Sequence, residues 1–231
     1  MKSGQPYENG CCEPVCDKRL PRYNPVSHLN RGSHLRRIIL QIVSYPHPTL
    51  RHKSLPVKRV DAELRELVRN MFKVMYEACG VGLAANQVDL PIRLFVVNLE
   101  GKAGEGEELV FINPVISRPK GLEEKEEGCL SLPELYGPVK RPKQIRVNAY
   151  GINGQEIQAD LSGLFARVVQ HESDHLDGVL FVDRMSETKK LEIVDELYEF
   201  ETEFTSQRNA GGIPGDEEIA QRLVVWEQKY C

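Results

Sequence analysis

The stretch Gln170-His171-Glu172-Ser173-Asp174-His175 carries the chemistry around which the rest of this sequence is organised. It lies in the segment 162–177, whose apolar spacing predicts a helix. Histidines four residues apart share one face of a helix, so His171 and His175 can both reach one ion while Glu172 lies beside it. This H-E-x-x-H pattern predicts a metal site with the two histidines as ligands.

The third protein ligand is less certain from the residues alone. A catalytic ion of this kind usually takes three protein ligands and a water. A third His six residues after His175 is excluded, because position 181 is Phe and no His follows His175. Two sources stay open: a Glu from the acidic segment 186–206, and the upstream Cys129, which taken alone reads as an inert buried thiol.

The segments around this helix alternate between helical and strand patterns. A helix with Asp61 as its cap is predicted over residues 61–79, because apolar residues recur there at three- and four-residue spacing. Strands are predicted at 92–98, 109–113, 115–118, 121–127, 144–150, 156–161 and 179–182. A long acidic helix is predicted from about 186 to 206. The predicted fold class is α+β, with mostly antiparallel sheets packed around a central helix that bears the H-E-x-x-H motif, plus a long C-terminal helix.

The composition excludes several classes of protein. With 231 residues, 41% hydrophobic and 28% charged, the chain can bury a core and is expected to form one or at most two domains. No run of 18 apolar residues occurs, so no membrane partner is expected. A net charge of -4 gives no general attraction to phosphates, so no DNA partner is expected. The six cysteines are too uneven for a disulfide scaffold and no signal peptide precedes them, which favours a cytoplasmic location.

Charge and composition divide the chain into three parts. Residues 1–37 carry a net charge of +4, leaving -8 for the remainder, and show no lasting helical or strand period. We predict a flexible N-terminal extension at 1–37, a catalytic domain at 38–206 and a C-terminal tail at 207–231. An organelle transit sequence is the alternative for 1–37, although the acids at 8, 13 and 17 oppose it.

Three segments together resemble the signature motifs of the peptide deformylase family, in the family's order. They are Gly80-Val81-Gly82-Leu83-Ala84-Ala85-Asn86-Gln87, Glu127-Gly128-Cys129-Leu130-Ser131 and Gln170-His171-Glu172-Ser173-Asp174-His175. The resemblance covers roughly residues 42–206 and leaves both ends of the chain outside it. A single H-E-x-x-H would be weak evidence, whereas three motifs in register are strong.

The resemblance implies a metal centre and a reaction. Cys129, His171 and His175 would hold one divalent ion, Fe²⁺ by preference, with Zn²⁺, Ni²⁺ or Co²⁺ able to replace it, and a soft thiolate suits such ions better than Mg²⁺ or Ca²⁺. A metal-bound water would be the nucleophile and Glu172 its general base. The reaction would remove the formyl group from the N-terminal formyl-methionine of newly made polypeptides and release formate.

The resemblance also implies how the substrate is held. The Gln87 side-chain amide and the Leu130 main-chain N–H would stabilise the oxyanion that forms on the formyl oxygen. Arg167, four residues before His171, is predicted to hold the substrate backbone. The predicted substrate-binding residues are Val81, Gly82, Leu164, Arg167 and Val168.

Two other functions remain as alternatives. The first is a zinc endopeptidase that uses the same His pair and a downstream Glu; the second is a catalytically inactive metal-binding homologue. The intact Glu172, Gln87 and ligand residues argue against the second. N-formylmethionyl nascent polypeptides are the expected partners. A transient ribosome contact is also expected, through the basic extension rather than the acidic helix at 186–206, because ribosomal RNA attracts positive charge.

Overall fold

The structure is a computed structural model that describes residues 40–231, so the predicted extension at 1–37 lies outside the described residues. The strands in this range are β1 (Gly82–Ala84), β2 (Leu94–Val97), β3 (Leu109–Lys120), β4 (Glu123–Cys129), β5 (Leu132–Arg141), β6 (Gln144–Tyr150) and β7 (Glu156–Ser162). The helices are α1 (Ala62–Glu77), α2 (Gly163–Leu176), α3 (Phe181–Arg184), α4 (Glu187–Leu191), α5 (Val194–Asn209) and α6 (Asp216–Tyr230), with 3-10 turns at Pro48–Arg51 and Ala85–Val88. None of the described helices is both long enough and apolar enough to cross a membrane.

The strands form two antiparallel sheets. One has five strands in the order β1-β2-β3-β6-β7, and the other is the β4–β5 hairpin. The predicted combination of helices with antiparallel sheet is therefore confirmed. The predicted strands 109–113 and 115–118 are one strand, β3, which is interrupted by a register shift between Ile112 and Val115. Asn113 takes a left-handed backbone (φ 52°) at this bulge, a conformation that Asn tolerates.

Local pattern missed β1 and β5 and wrongly assigned residues 179–182. Strand β5 was missed because prolines at 133 and 138 cannot donate the backbone hydrogen bonds of a central strand. Both strands of a two-stranded hairpin are edge strands, however, and Pro is tolerated there. Residues 179–182 were predicted as a strand but lead into α3. The Asp183 carboxylate accepts a hydrogen bond from the Leu180 N–H at 2.7 Å, which closes a helical turn.

Helix α1 forms as predicted and contributes one wall of the core. The Asp61 carboxylate accepts a hydrogen bond from the Leu64 N–H at 2.9 Å and so caps the helix. Its buried face consists of Leu64, Leu67, Val68, Met71, Phe72 and Met75. These side chains pack with residues of β1 and β2, and with Leu40 and Val57, which precede α1. Together they form the largest buried cluster of the described chain.

The predicted long helix at 186–206 is two helices, α4 and α5. The break lies at Ile193, whose backbone (φ -115°, ψ 13°) leaves the helical region and whose side chain is buried with Phe181 and Met185. Helix α5 buries no residue fully, but Leu197 and Phe200 pack against the cluster that contains Ile193. After this segment α6 returns to the body of the protein, where Tyr230 joins the same buried cluster as α1.

Helix α2 packs against β1, β2, β6 and β7. Its remaining face contacts β4 and β5 through hydrogen bonds of Arg167 and Asp174. The motif residues at 171, 172 and 175 are on this helix, as predicted. The fold thus brings together one face of a helix, the end of a hairpin strand, and β1 with the turn that follows it.

Candidate metal centre

Cys129, His171 and His175 converge at one place in the structure. The cysteine lies at the end of β4 and the two histidines lie one turn apart on α2. One potential ligand atom from each of the three residues lies within 4.8 Å of the others, and Cys129 Sγ is 3.3 Å from His175 Nε2. Among the described residues this is the group of three that could hold an ion, and it includes no Glu from 186–206.

A buried carboxylate orients the first histidine. Glu127 Oε2 lies 3.1 Å from His171 Nδ1. Burial raises the pKa of Glu127, but hydrogen bonds from His171 and Arg141 and their positive charge outweigh it and hold that pKa at about 2. An ionised carboxylate can only accept, so Nδ1 donates to Glu127 and Nε2 is the ring nitrogen left to face an ion. This is the arrangement that a metal-ligating histidine requires.

His175 is held as a neutral, buried ring. Its side chain has no exposed surface, and burial lowers its pKa well below the ordinary value. The Asn86 side-chain amide donates to the His175 backbone carbonyl, which ties the end of α2 to the turn after β1. Nδ1 of this ring has no hydrogen-bond partner among the described residues. A neutral imidazole is the form that binds metal.

Glu172 is enclosed beside the ligands. Its side chain is buried, and Oε2 has no hydrogen-bond partner in the described part of the chain. Burial raises the pKa of this carboxyl to about 7. A Cβ added at Gly82 would lie 2.5 Å from Glu172 Oε1, so a glycine at that position makes room for the carboxylate. A buried carboxylate with one unpartnered oxygen and a near-neutral pKa fits the predicted role of general base.

Gln87 joins the site from the turn after β1. Its Oε1 accepts from the Ala84 N–H at 2.8 Å, which fixes the side chain. Its Nε2 lies 3.4 Å from Cys129 Sγ and 3.3 Å from Ser131 Oγ, where it can donate. The amide therefore presents its donor next to the cysteine. Leu130 directly follows Cys129, and its side chain covers Gly80, where a Cβ would lie 2.6 Å from Leu130 Cδ1.

The predicted pocket residues separate into two groups. Val168 and Gly82 are buried, and Val81 is half-buried and packed against the same cluster as Val168. Leu164 is 57% exposed, so it does not form an enclosed wall of an apolar slot. The sequence could not show this difference, because both Leu164 and Val168 lie on the helical face of His171.

Arg167 is held by hydrogen bonds to the β4–β5 hairpin. Its Nη1 donates to Glu127 Oε1 at 2.6 Å and to the Val139 carbonyl at 3.0 Å, and its Nη2 donates to the Glu123 carbonyl at 2.8 Å. The side chain is 9% exposed. Three donors of this guanidinium are therefore used inside the protein, and the predicted contact of Arg167 with a substrate stays a prediction.

Sequence reasoning missed two residues of the site. Glu127 belongs to the second motif but was given no role, and Arg141 was not considered. Arg141 donates to Glu127 at 2.7 and 2.9 Å and to Asp174 at 2.7 Å, and Asp174 also accepts from Arg184. Strand alternation could have placed Glu127 on the same face as Cys129, but no local pattern indicates Arg141.

The donor set fits a divalent transition metal. Burial lowers the pKa of His171, yet hydrogen bonds and charge interactions with Cys129 and Glu127 raise it to about 10. Surroundings that favour positive charge on this ring also favour a cation at the ligand atoms. A thiolate with two imidazoles suits iron, zinc, nickel or cobalt rather than magnesium or calcium.

Comparison with known proteins agrees with this site. The family model described as polypeptide deformylase matches residues 39–191. A peptide deformylase from Rhodopirellula baltica is 51% identical over 191 residues, covering 83% of this chain and 95% of its own length. "Peptide deformylase 1B, chloroplastic" of Solanum lycopersicum is 44% identical over 186 residues, covering 80% of this chain and 66% of its own.

Solved structures give the same result. The crystal structure of the plant peptide deformylase PDF1B superposes with a TM-score of 0.73 at 41% identity, covering 78% of this chain and 97% of that one. A peptide deformylase from Plasmodium falciparum superposes with a TM-score of 0.69 at 39% identity, covering 72% and 98%. On these matches, the chain belongs to the polypeptide deformylase family and is a hydrolase that removes a formyl group.

Proposed function

We propose that the substrate is the N-terminal formyl-methionine of newly made polypeptides, and that Cys129, His171 and His175 hold the divalent ion this family uses. The observation that carries the proposal is the convergence of these three residues with the buried Glu172. Helix α2 then serves as the central helix of the site. When bound, the ion supplies a water acidified enough to act as the nucleophile at neutral pH.

Glu172 performs the proton transfers in this proposal. It accepts the proton of the attacking water and passes one to the departing amine, so that formate and a free N-terminus result. Burial raises the pKa of Glu172 to about 7, which leaves it able both to take and to return a proton near neutral pH. Its carboxylate needs no rearrangement, because Gly82 leaves space for it.

The Gln87 amide and the Leu130 N–H stabilise the oxyanion that develops on the formyl oxygen. Support comes from the position of Gln87 Nε2, 3.4 Å from Cys129 Sγ, and from its fixed Oε1. Preorganised donors of this kind contribute more than flexible ones, because no reorganisation is needed as charge develops. Val81, Leu130 and Val168 then form the apolar slot for the methionine side chain, with Leu164 at its rim.

Fe²⁺ is the proposed resident metal, with Zn²⁺, Ni²⁺ or Co²⁺ as replacements. N-formylmethionyl nascent chains are the proposed substrates and the ribosome is a proposed transient contact, through the basic extension. A cytoplasmic location is the proposal that the composition favours. The chloroplastic name of the tomato relative supports import through residues 1–37 as the alternative. Import of a reporter fused to residues 1–37 by isolated chloroplasts distinguishes the two locations.

The decisive experiment is purification without oxygen, metal analysis and a formate-release assay on formyl-Met-Ala-Ser. We expect about one metal ion per chain and formate release that stops when a chelator removes the ion. Glu172→Gln should retain the metal and lose turnover by about 100-fold or more, because a positioned general base contributes at least that much. Absence of formate with iron, nickel or cobalt bound would contradict the proposal, and cleavage of internal peptide bonds would favour an endopeptidase.

A further inference from the structure

The ligands of the proposed metal site come from two elements that are not continuous in the chain. Cys129 belongs to the β4–β5 hairpin, whereas His171 and His175 belong to α2. The distance between the thiolate and the imidazoles therefore depends on whatever joins the hairpin to the helix. Metal–ligand distances vary by only about 0.2 Å, so the contacts between the hairpin and the helix must be rigid if the ion is to be bound tightly.

Arg167 makes these contacts on one side of His171. It lies one turn before His171 on α2, and its guanidinium reaches both strands of the hairpin. It bonds the Glu123 carbonyl and the Glu127 carboxylate of β4 and the Val139 carbonyl of β5, at 2.6 to 3.0 Å. A planar guanidinium holds its donors at fixed angles, so three acceptors in different directions fix its position and theirs.

Arg141 makes the contacts on the other side. From β5, its side chain donates a hydrogen bond to Asp174, which lies nearly one turn after His171 on α2. It also donates two hydrogen bonds to the Glu127 carboxylate. Glu127 is thus bound by both arginines while its Oε2 faces His171 Nδ1 at 3.1 Å. The arrangement is buried, since Arg141, Arg167 and Glu127 are each less than a tenth exposed.

We propose that Arg167 is a positioning residue of the metal site: it fixes the hairpin that carries Cys129 against the helix that carries the histidines, and so slows release of the ion. This inference rests on the metal site proposed above. It differs from two other roles for the same side chain, a substrate contact and a general contribution to stability. A substrate contact would leave metal release unchanged, and a general contribution would lower the melting temperature without a specific effect on the ion.

The test compares Arg167→Met and Arg167→Lys with Arg146→Met. Arg146 is a matched control, because it also pairs with a carboxylate, that of Asp160, but on the surface of β6 and β7. Each protein is loaded with Co²⁺. Transfer of the ion to a chromophoric chelator is timed well below the melting temperature, and the thiolate-to-cobalt absorption band is recorded.

We expect Arg167→Met to release Co²⁺ about tenfold to a hundredfold faster than wild type, the usual effect of removing a residue that supports metal ligands, with a shifted thiolate-to-cobalt band. Arg167→Lys should fall between the two, because an ammonium retains the charge but not the three-way geometry. Arg146→Met should match wild type. If Arg167→Met does not fold, Arg167→Lys alone decides by the same measurements.

Release rates and spectra of both Arg167 variants equal to those of wild type would overturn the inference. A fall in melting temperature with unchanged release would do so as well, since it assigns Arg167 a general stabilising role. Failure of the wild-type protein to bind Co²⁺ would instead contradict the proposed metal site. The two hypotheses therefore fail by different measurements.

Discussion

Gly82 shows at the scale of a single residue how closely Glu172, the proposed general base, is packed. Its backbone is not among those with positive φ, so conformation alone does not require glycine there. The requirement is space, because a Cβ would lie 2.5 Å from Oε1 and 2.9 Å from Cδ of Glu172. Even alanine at this position would therefore contact the Glu172 carboxylate.

We expect Gly82→Ala to displace Glu172 and to lower kcat by about tenfold or more, since a misplacement of about 1 Å can cost 100-fold. Metal content should stay near that of wild type, because the ligands are not touched. Steady-state formate release and metal analysis measure both quantities. Gly215→Ala is the control, since no atom lies within 4 Å of a Cβ there. Equal kcat in the two variants would show that Glu172 tolerates the methyl group.

His47 is a second residue whose environment has a measurable effect. Its ring is 1% exposed. Burial, together with the positive charges of Arg222 and Arg208, lowers its pKa from 6.5 to about 3. At pH values between these two pKa values, His47 is protonated in the unfolded chain and neutral in the folded chain. Stability therefore falls as the pH falls through this window.

We expect His47→Asn to flatten that part of the pH profile, because the substitution removes a slope of up to about 1.4 kcal/mol per pH unit. Asn can still accept the hydrogen bond that His47 Nδ1 takes from the Thr49 N–H. Urea unfolding at several pH values from 4 to 7 provides the measurement. Parallel profiles for the two proteins would mean that His47 titrates alike in both states.

At the scale of elements, the start of α1 depends on one side chain with two partners. The Asp61 carboxylate caps the helix through the Leu64 N–H and also accepts from the Tyr230 hydroxyl at 3.2 Å. The Leu64 N–H bond is the main reason that the pKa of Asp61 lies below its ordinary 3.8. The folded state therefore favours the charged carboxylate. The stability that this charge contributes is lost only as the pH falls below 3.8.

Asp61→Ala should reduce the free energy of unfolding at neutral pH by about 1 kcal/mol, the usual cost of removing a cap. Asp195→Ala is the control, because Asp195 lies in the first turn of α5 without capping it. Denaturant midpoints at pH 7 compare the two. A loss from Asp195→Ala as large as that from Asp61→Ala would show that helix-dipole charge, rather than capping, explains the effect.

At the scale of the whole molecule, α6 closes over the first elements of the described chain. Tyr230 is buried in the same cluster as α1, and Arg222 pairs with Asp89 at 2.8 Å. Glu227 lies 2.7 Å from His52. These contacts join the last residues of the chain to segments more than 130 positions earlier. Residues 207–231, predicted as a tail, thus contribute to the main core.

Tyr230→Ala should therefore reduce the free energy of unfolding by about 3 kcal/mol, as removal of a buried aromatic ring does. Val225→Ala on the same helix is the matched control, since Val225 is 63% exposed and its change should stay within about 0.5 kcal/mol. Thermal and urea unfolding measure both variants. Similar small losses would mean that the cluster forms without α6.

Much of the fold follows from local pattern. The 3.6-residue spacing of apolar side chains located α1 and α2, and alternation located most strands, because these periods depend only on neighbours along the chain. Local pattern failed where a distant partner decides. Residues 179–182 and β5 take their structure from a side-chain cap and a hairpin partner, and the helix at 186–206 breaks so that Ile193 can enter the core.

For the site, the sequence by itself determined the residue types of the proposed metal centre and their order: two histidines and a glutamate on one helix, and a cysteine identified through the resemblance of three motifs. Only the tertiary structure decided where the charged side chains are directed. Arg167 bonds the hairpin, and Glu127 and Arg141 support His171. The physical reason is that a buried charge must find its partner, and that partner comes from whichever element packs opposite, which no spacing along one segment can specify.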